Sequence, residues 1–131
     1  MEEKYAYWLE LAQYDLDSAE AMYSSGRWFY VVFMCQQAVE KLCKGLYHFY
    51  IDDDVPKTHS IGFILSKIEA ELAVTVPVET YSLADSLSGY YLNTRYPDFA
   101  KQKGLRVNEE TANNFLQKTK EAYAWLLTLK R

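Results

Sequence analysis

Residues 27–50, RWFYVVFMCQQAVEKLCKGLYHFY, limit what the rest of the chain can be. Trp28, Val32, Cys35, Val39, Leu42, Leu46 and Phe49 recur at three- and four-residue steps, the spacing of one helical face. Phe29, Phe33, Glu40, Lys44 and Tyr47 make a second stripe that is apolar only at its ends. A helix apolar around so much of its circumference must touch neighbours on more than one side, so it predicts the central helix of a bundle. Gln37, Lys41, Lys44 and His48 fall on a third, polar face. The plain reading of that face is a solvated one, with Glu40 and Lys44 as an i,i+4 pair worth a few tenths of a kcal/mol. The functional reading is the polar wall of a pocket.

The flanking sequence supplies the neighbours. Tyr5, Trp8, Leu9, Ala12, Leu16, Ala19 and Tyr23 mark an apolar stripe over residues 2–24, closed by Ser24-Ser25-Gly26. So short a connection makes the first two helices antiparallel neighbours. Residues 51–57 are polar, aperiodic and contain Pro56, hence a loop. Thr58 or Ser60 caps a third helix carrying Ile61, Ile64, Leu65 and Ile68. Residues 73–76 are rich in β-branched side chains but have no partner segment, and read as an extended connection to Pro77, the first residue of a fourth helix. That helix runs to about Tyr91 through Tyr81, Leu83, Ala84 and Leu87. Asn108 caps the last helix, with Glu109 and Glu110 in its first turn and Ala112, Phe115, Leu116, Thr119, Tyr123 and Leu126 facing inward. Lys130 and Arg131 sit at its carboxyl end, where the helix dipole favours cations. The expected fold is all-α, an antiparallel up-and-down bundle of four to five helices. Residues 1–131 form one domain, with the first, second and last helices at its core.

Charge and composition narrow the function. A net charge of −4 argues against a general, charge-driven nucleic-acid binder. The acidic N-terminus, MEEKYAYWLE, is unlike a secretory signal, no apolar run reaches membrane-spanning length, and the cytoplasm is the expected location. Cys35 and Cys43, about 12 Å apart along one helix, are too distant for a disulfide and read as buried thiols. His48 and His59 add too few ligands for a metal site, and no cofactor is expected. Twelve tyrosines and three tryptophans hint at a self-association surface, because aromatics with a polar tip suit contacts between helices or partners.

Residues 92–107, LNTRYPDFAKQKGLRV, are the longest irregular stretch and carry an excess of three positive charges in an acidic chain. Arg95, Lys101, Lys103 and Arg106 stand against Asp98 alone. Tyr96-Pro97 stiffens the loop, and an arginine fork there meets a phosphate or a carboxylate bidentately. The candidate ligand-binding residues are Arg95, Asp98, Gln37, Lys41, Lys44 and His59. A solvated basic loop, or a structural pair of Arg95 with Glu40 or Asp15, is the plain alternative.

Taken together, these motifs resemble one family. Ala12-x-x-Asp15-Leu16-x-x-Ala19, a glycine turn, Gln37-Ala38-x-Glu40-Lys41-x-x-Lys44, Lys57-Thr58-His59-Ser60-Ile61 and Asn93-x-Arg95-Tyr96-Pro97-Asp98 stand in the order found in the HEPN domain, here in its minimal, single-domain prokaryotic form. The resemblance implies a helical bundle that is often homodimeric. It also implies a function beside a minimal nucleotidyltransferase in a toxin–antitoxin pair, or as a metal-independent ribonuclease with an Arg-x4-6-His motif. Arg95 matches the arginine, but Ala100, Lys101 and Gln102 occupy the positions where the histidine belongs. Cleavage through the 2′-hydroxyl needs a general acid and base near neutrality, and only His48 and His59 qualify by type. His59 reads as a helix-start residue bonding nearby backbone, and His48 as a cation at a helix C-terminus. No catalytic residue is assigned. The leading expectation is a noncatalytic module that binds a nucleotide, an RNA phosphate or a nucleotidyltransferase partner. A ribonuclease with a spatially assembled Arg/His site and a purely structural dimerisation protein are the alternatives.

Overall fold

A computed structural model describes residues 2–93 and 107–130, with the backbone alone for residues 91–93. Five helices follow one another: α1 (Glu2–Ser24), α2 (Trp28–Tyr50), α3 (Ile61–Leu72), α4 (Val78–Asn93) and α5 (Glu109–Leu127). The described residues contain no strand, as the helical periodicities require. Arg95 and Asp98, with Lys101, Lys103 and Arg106, lie outside the described residues.

The α1–α2 hairpin is closed by a tight cap. Gly26 takes the left-handed conformation, φ 74°, while Arg27 N–H donates to Met22 O and Gly26 N–H to Tyr23 O. This pair of bonds satisfies the last carbonyls of α1 and turns the chain back. Tyr5 then meets Phe49 at one end of the hairpin and Tyr23 meets Trp28 at the other, each edge to face. Ala12 and Ala19 are fully buried between the helices.

α2 touches all four other helices, and its contact with α1 is the most extensive in the molecule. Val31, Val32, Cys35, Val39, Leu42 and Leu46 are buried, as the sequence pattern predicts for a central helix. The two most extensive contacts, α2 with α1 and α2 with α5, are those expected of the first, second and last helices, and each outer helix meets the core through α2. α1 meets α5 only lightly, whereas α3 and α4 both pack on α2. Ile61, Ile64, Leu65 and Ile68 of α3 are wholly buried.

The caps follow the sequence closely. The Ser60 side chain accepts from Phe63 N–H at the start of α3, and Asn108 accepts from Thr111 N–H at the start of α5. α3 ends at Ala73, which adopts φ 53° without being glycine. The extended connection after it is held by Glu69, which accepts from Val76 N–H at 2.7 Å and from Tyr81 OH at 3.1 Å. Pro77 flanks α4 rather than opening it, and its carbonyl accepts from Thr80 and Tyr81 N–H. Lys130 also differs from the expected dipole partner. It lies past the end of α5, pairs with Glu2 at 2.8 Å and sits 4.6 Å over the Phe49 ring.

Gly45 marks the closest approach of α1 and α2. A Cβ added there would lie 2.7 Å from Trp8 Cβ, a backbone-anchored atom that cannot swing aside. In most helices Gly→Ala adds about 1 kcal/mol of stability. Here overpacking of about 1–3 kcal/mol opposes that gain. Gly45→Ala is therefore expected to lower Tm by several degrees, and an unchanged or higher Tm would show that the helices do not meet at this point.

Burial also governs the thiols. Cys35 and Cys43 are both free and inaccessible, and desolvation pushes the Cys35 thiol up to about 11 and Cys43 upward as well. A raised folded value favours the protonated thiol, so this stabilisation is complete below pH 9.0, the ordinary thiol value, and is lost as pH rises toward 11. Tm is expected to fall over that window, and to fall less in Cys35→Ala. Native protein at pH 8 should react with iodoacetamide only as fast as it unfolds.

Candidate functional site

Gln36, Glu40 and Lys44 stand four residues apart on α2, which sets their side chains in one row. Glu40 is only 6% exposed, so its charge has to be met from within the protein. Gln36 Nε2 donates to Glu40 Oε1 at 2.6 Å, and Lys44 Nζ donates to Oε2 at 3.0 Å. Gln37 Nε2 extends the row by donating to Gln36 Oε1 at 2.7 Å. From outside α2, His59 brings Nδ1 to 3.2 Å from Oε1 and 3.3 Å from Oε2. A carboxylate only accepts, so Nδ1 carries a proton in this contact.

His59 reaches Glu40 because the segment before α3 is fastened at both sides. Ser60 caps α3, and Ser60 N–H donates to Thr58 Oγ1. Ser88, buried on α4, donates to His59 O at 3.1 Å and accepts from Ile61 N–H at 3.2 Å. Thus one hydroxyl on α4 holds the backbone on both sides of Ser60. His59 bonds the Glu40 carboxylate, not the neighbouring backbone that its sequence position suggests.

The structure gathers three of the predicted residues, Gln37, Lys44 and His59, around Glu40. It gives Lys41 a different partner, Asp15 of α1, at 2.6 Å. The predicted solvated face is corrected accordingly. The Glu40–Lys44 pair forms as expected, but its side chains are only 7% and 12% exposed. His48, placed on the same face by spacing, is buried as well. It accepts from Trp8 Nε1–H at Nδ1, 3.4 Å, and Asp53 Oδ1 stands 3.2 Å from its Nε2 without hydrogen-bond geometry. Arg95 and Asp98, the remaining predicted site residues, are outside the described residues.

Three functional side chains escape a reading from residue type alone. Read from sequence, Glu40 pairs with Lys44 on a solvated face and Gln36 has no role, so the burial of Gln36 and Glu40 is a finding of the structure. Ser88 gives no sequence signal beyond a hydroxyl next to Leu87 on an apolar stripe. Among the described residues no group of three His, Cys, Asp or Glu side chains stands close enough to hold a metal ion. None of the α2 cluster lines a groove of about 660 Å³ between α4 and α5. Val78, Leu83, Phe115 and Trp125 give that groove its apolar walls, and Lys118 and Glu121 also line it.

Comparison with known proteins places the chain in a family and a fold. The HEPN domain model matches residues 5–129. The chain is similar to TT1696 from Thermus thermophilus, with 27% identity and a TM-score of 0.83 over 96% of this chain and 98% of the other. It is also similar to ST0689, an archaeal HEPN homologue, with 25% identity and a TM-score of 0.77 over 97% of this chain and 98% of that one. A search of curated proteins found no match.

The Glu40 cluster carries a measurable stability signature. Glu40→Ala leaves a largely buried Lys44 and Gln36 without their acceptor and is expected to cost about 3–5 kcal/mol in urea unfolding. Lys44→Ala should cost less, because His59 and Gln36 still meet the carboxylate. The double variant should depart from additivity by about 1 kcal/mol or more. A Glu40→Ala cost below about 0.5 kcal/mol would mean that the cluster is solvated after all.

Proposed function

Because the chain belongs to the HEPN domain family, we propose that it acts as a noncatalytic binding and interaction module for a minimal nucleotidyltransferase, in the manner of a toxin–antitoxin pair. The observation that carries this reading is the neutralisation of the α2 cations from within. Asp15 engages Lys41 and Glu40 engages Lys44, so a phosphate arriving at this wall must displace a carboxylate. The two histidines also serve separate places. His59 meets Glu40, whereas His48, about 12 Å further along α2 by helical rise, meets Trp8 and Asp53. Acid–base cleavage of RNA needs both proton-transfer groups at one phosphate. A nucleotide or RNA phosphate is therefore bound weakly here unless Arg95 contributes. A second copy covers the α4–α5 groove in this reading, since its apolar walls and its two signs of charge suit a two-fold contact.

Light scattering should give twice the chain mass, and the dimer should form a stoichiometric complex with a minimal nucleotidyltransferase. Arg95→Ala is expected to remove binding of the partner or of nucleotide while shifting stability by less than about 0.5 kcal/mol. A loss of about 3–5 kcal/mol would make Arg95 a structural ion-pair member instead. One observation favours a second reading, a metal-independent ribonuclease: a carboxylate against Nδ1 orients an imidazole for proton transfer. RNA incubated with the protein in EDTA separates the two. Intact RNA agrees with the module, whereas cleavage abolished by both His59→Ala and Arg95→Ala establishes the nuclease.

A further inference from the structure

His48 stands between two partners whose requirements are opposite. It belongs to α2 and is nine-tenths buried. On one side the Trp8 indole of α1 donates its Nε1–H to His48 Nδ1 at 3.4 Å. An indole nitrogen donates and does not accept, so this contact requires an Nδ1 without a proton. The neutral imidazole then carries its proton on Nε2, and that nitrogen faces Asp53 Oδ1 at 3.2 Å. Nε2 makes no hydrogen bond there, so the turn that carries Asp53 is near His48 without being fastened to it.

Protonation reverses both contacts. An imidazolium has an N–H on each nitrogen, so two donors would face each other at Nδ1. Among the described residues the Trp8 indole has no other hydrogen-bond acceptor. At Nε2 the same added charge strengthens the attraction to Asp53. Neutral His48 therefore ties α2 to α1, whereas charged His48 ties α2 to residues 52–55. The Trp8 backbone cannot follow the change, because α1 is pressed against α2 at Gly45, where an added Cβ would lie 2.7 Å from Trp8 Cβ. The indole ring is the part left to move. It lines a groove of about 430 Å³ together with Tyr7 and Val55, and has room to turn into it.

The charged surroundings leave the response to His48. Glu3 and Lys4 of α1 line the same groove as Asp53, and Tyr7 adds a phenol. On the α2 side, Lys44 is one turn before His48 and is engaged by Glu40, and Asp52 follows the helix. Of these residue types only histidine ordinarily changes charge between about pH 5 and 8.

We propose that His48 is a pH-sensitive switch between α1 and the 52–55 turn, in which protonation releases the Trp8 indole into the groove and draws Asp53 onto the imidazole. The switch uses neither the Glu40 cluster nor the α4–α5 groove, so it stands independently of the function proposed above.

The test follows the His48 ring and the Trp8 indole N–H by NMR in the whole labelled chain, from about pH 8.5 to about 5.5, above the ordinary carboxylate range. The indole N–H is expected to shift with the same midpoint as the His48 ring, together with the amides of residues 52–55. His48→Gln should abolish both responses. Trp8→Phe removes a donor that favours the neutral ring, and should raise the proton affinity of His48 about threefold or more. Asp53→Asn changes an exposed side chain and should lower that affinity about threefold. An indole N–H that ignores the titration of His48, a response that persists in His48→Gln, or a proton affinity left unchanged by either of the other substitutions would overturn the proposal.

Discussion

A carboxylate buried on a helix that is packed on every side cannot keep its charge unless the neighbours supply donors. Glu40 is in that position, and its demands arrange the middle of the molecule. Gln36 and Lys44 answer from the same helix, and His59 answers from the segment leading into α3. Ser88 then holds that segment to α4 through the backbone around Ser60. Three elements are thereby tied to one charge: α2, the segment entering α3, and α4. The apolar contacts of α2 and its close approach to α1 at Gly45 already fix which faces it turns inward, and the Glu40 contacts add a polar requirement on the same orientation.

The same network shapes what the surface can offer. Lysines that look available in the sequence are claimed by Asp15 and Glu40, so the α2 wall is nearly neutral despite its many ionisable groups. The α4–α5 groove has the opposite character, with apolar walls and few charges. Polar organisation and apolar access therefore lie in different parts of the molecule.

The fold was legible because its signals are local. Helical periodicity fixed α1, α2, α3 and the start of α5 within a residue or two, although α5 stops at Leu127, short of Lys130, and Gly26, Ser60 and Asn108 marked their caps by residue type. The site was legible only in part. Spacing placed Gln37, Lys41, Lys44 and His48 on one face, but it carries no information on whether α1 or the 52–55 turn covers that face. Asp15 and Trp8 do cover it, and so Lys41 and His48 acquire partners no helical wheel reveals. His59 was misplaced for the same reason: its partner is nineteen positions away, across a loop whose path depends on Ser88.

The hairpin that Gly26 closes has a consequence for how the chain reaches this structure. The entropic cost of bringing two segments together rises with the logarithm of the intervening length. α1 and α2 are separated by residues 25–27 alone, yet they share the most extensive interface in the protein. The largest gain is thus attached to the smallest closure cost. α5, whose partner surface on α2 lies far behind it in the chain, meets the reverse condition and has to find a surface already assembled. Such a topology favours rapid collapse from the amino-terminal side, with the remaining helices docking on a preformed pair.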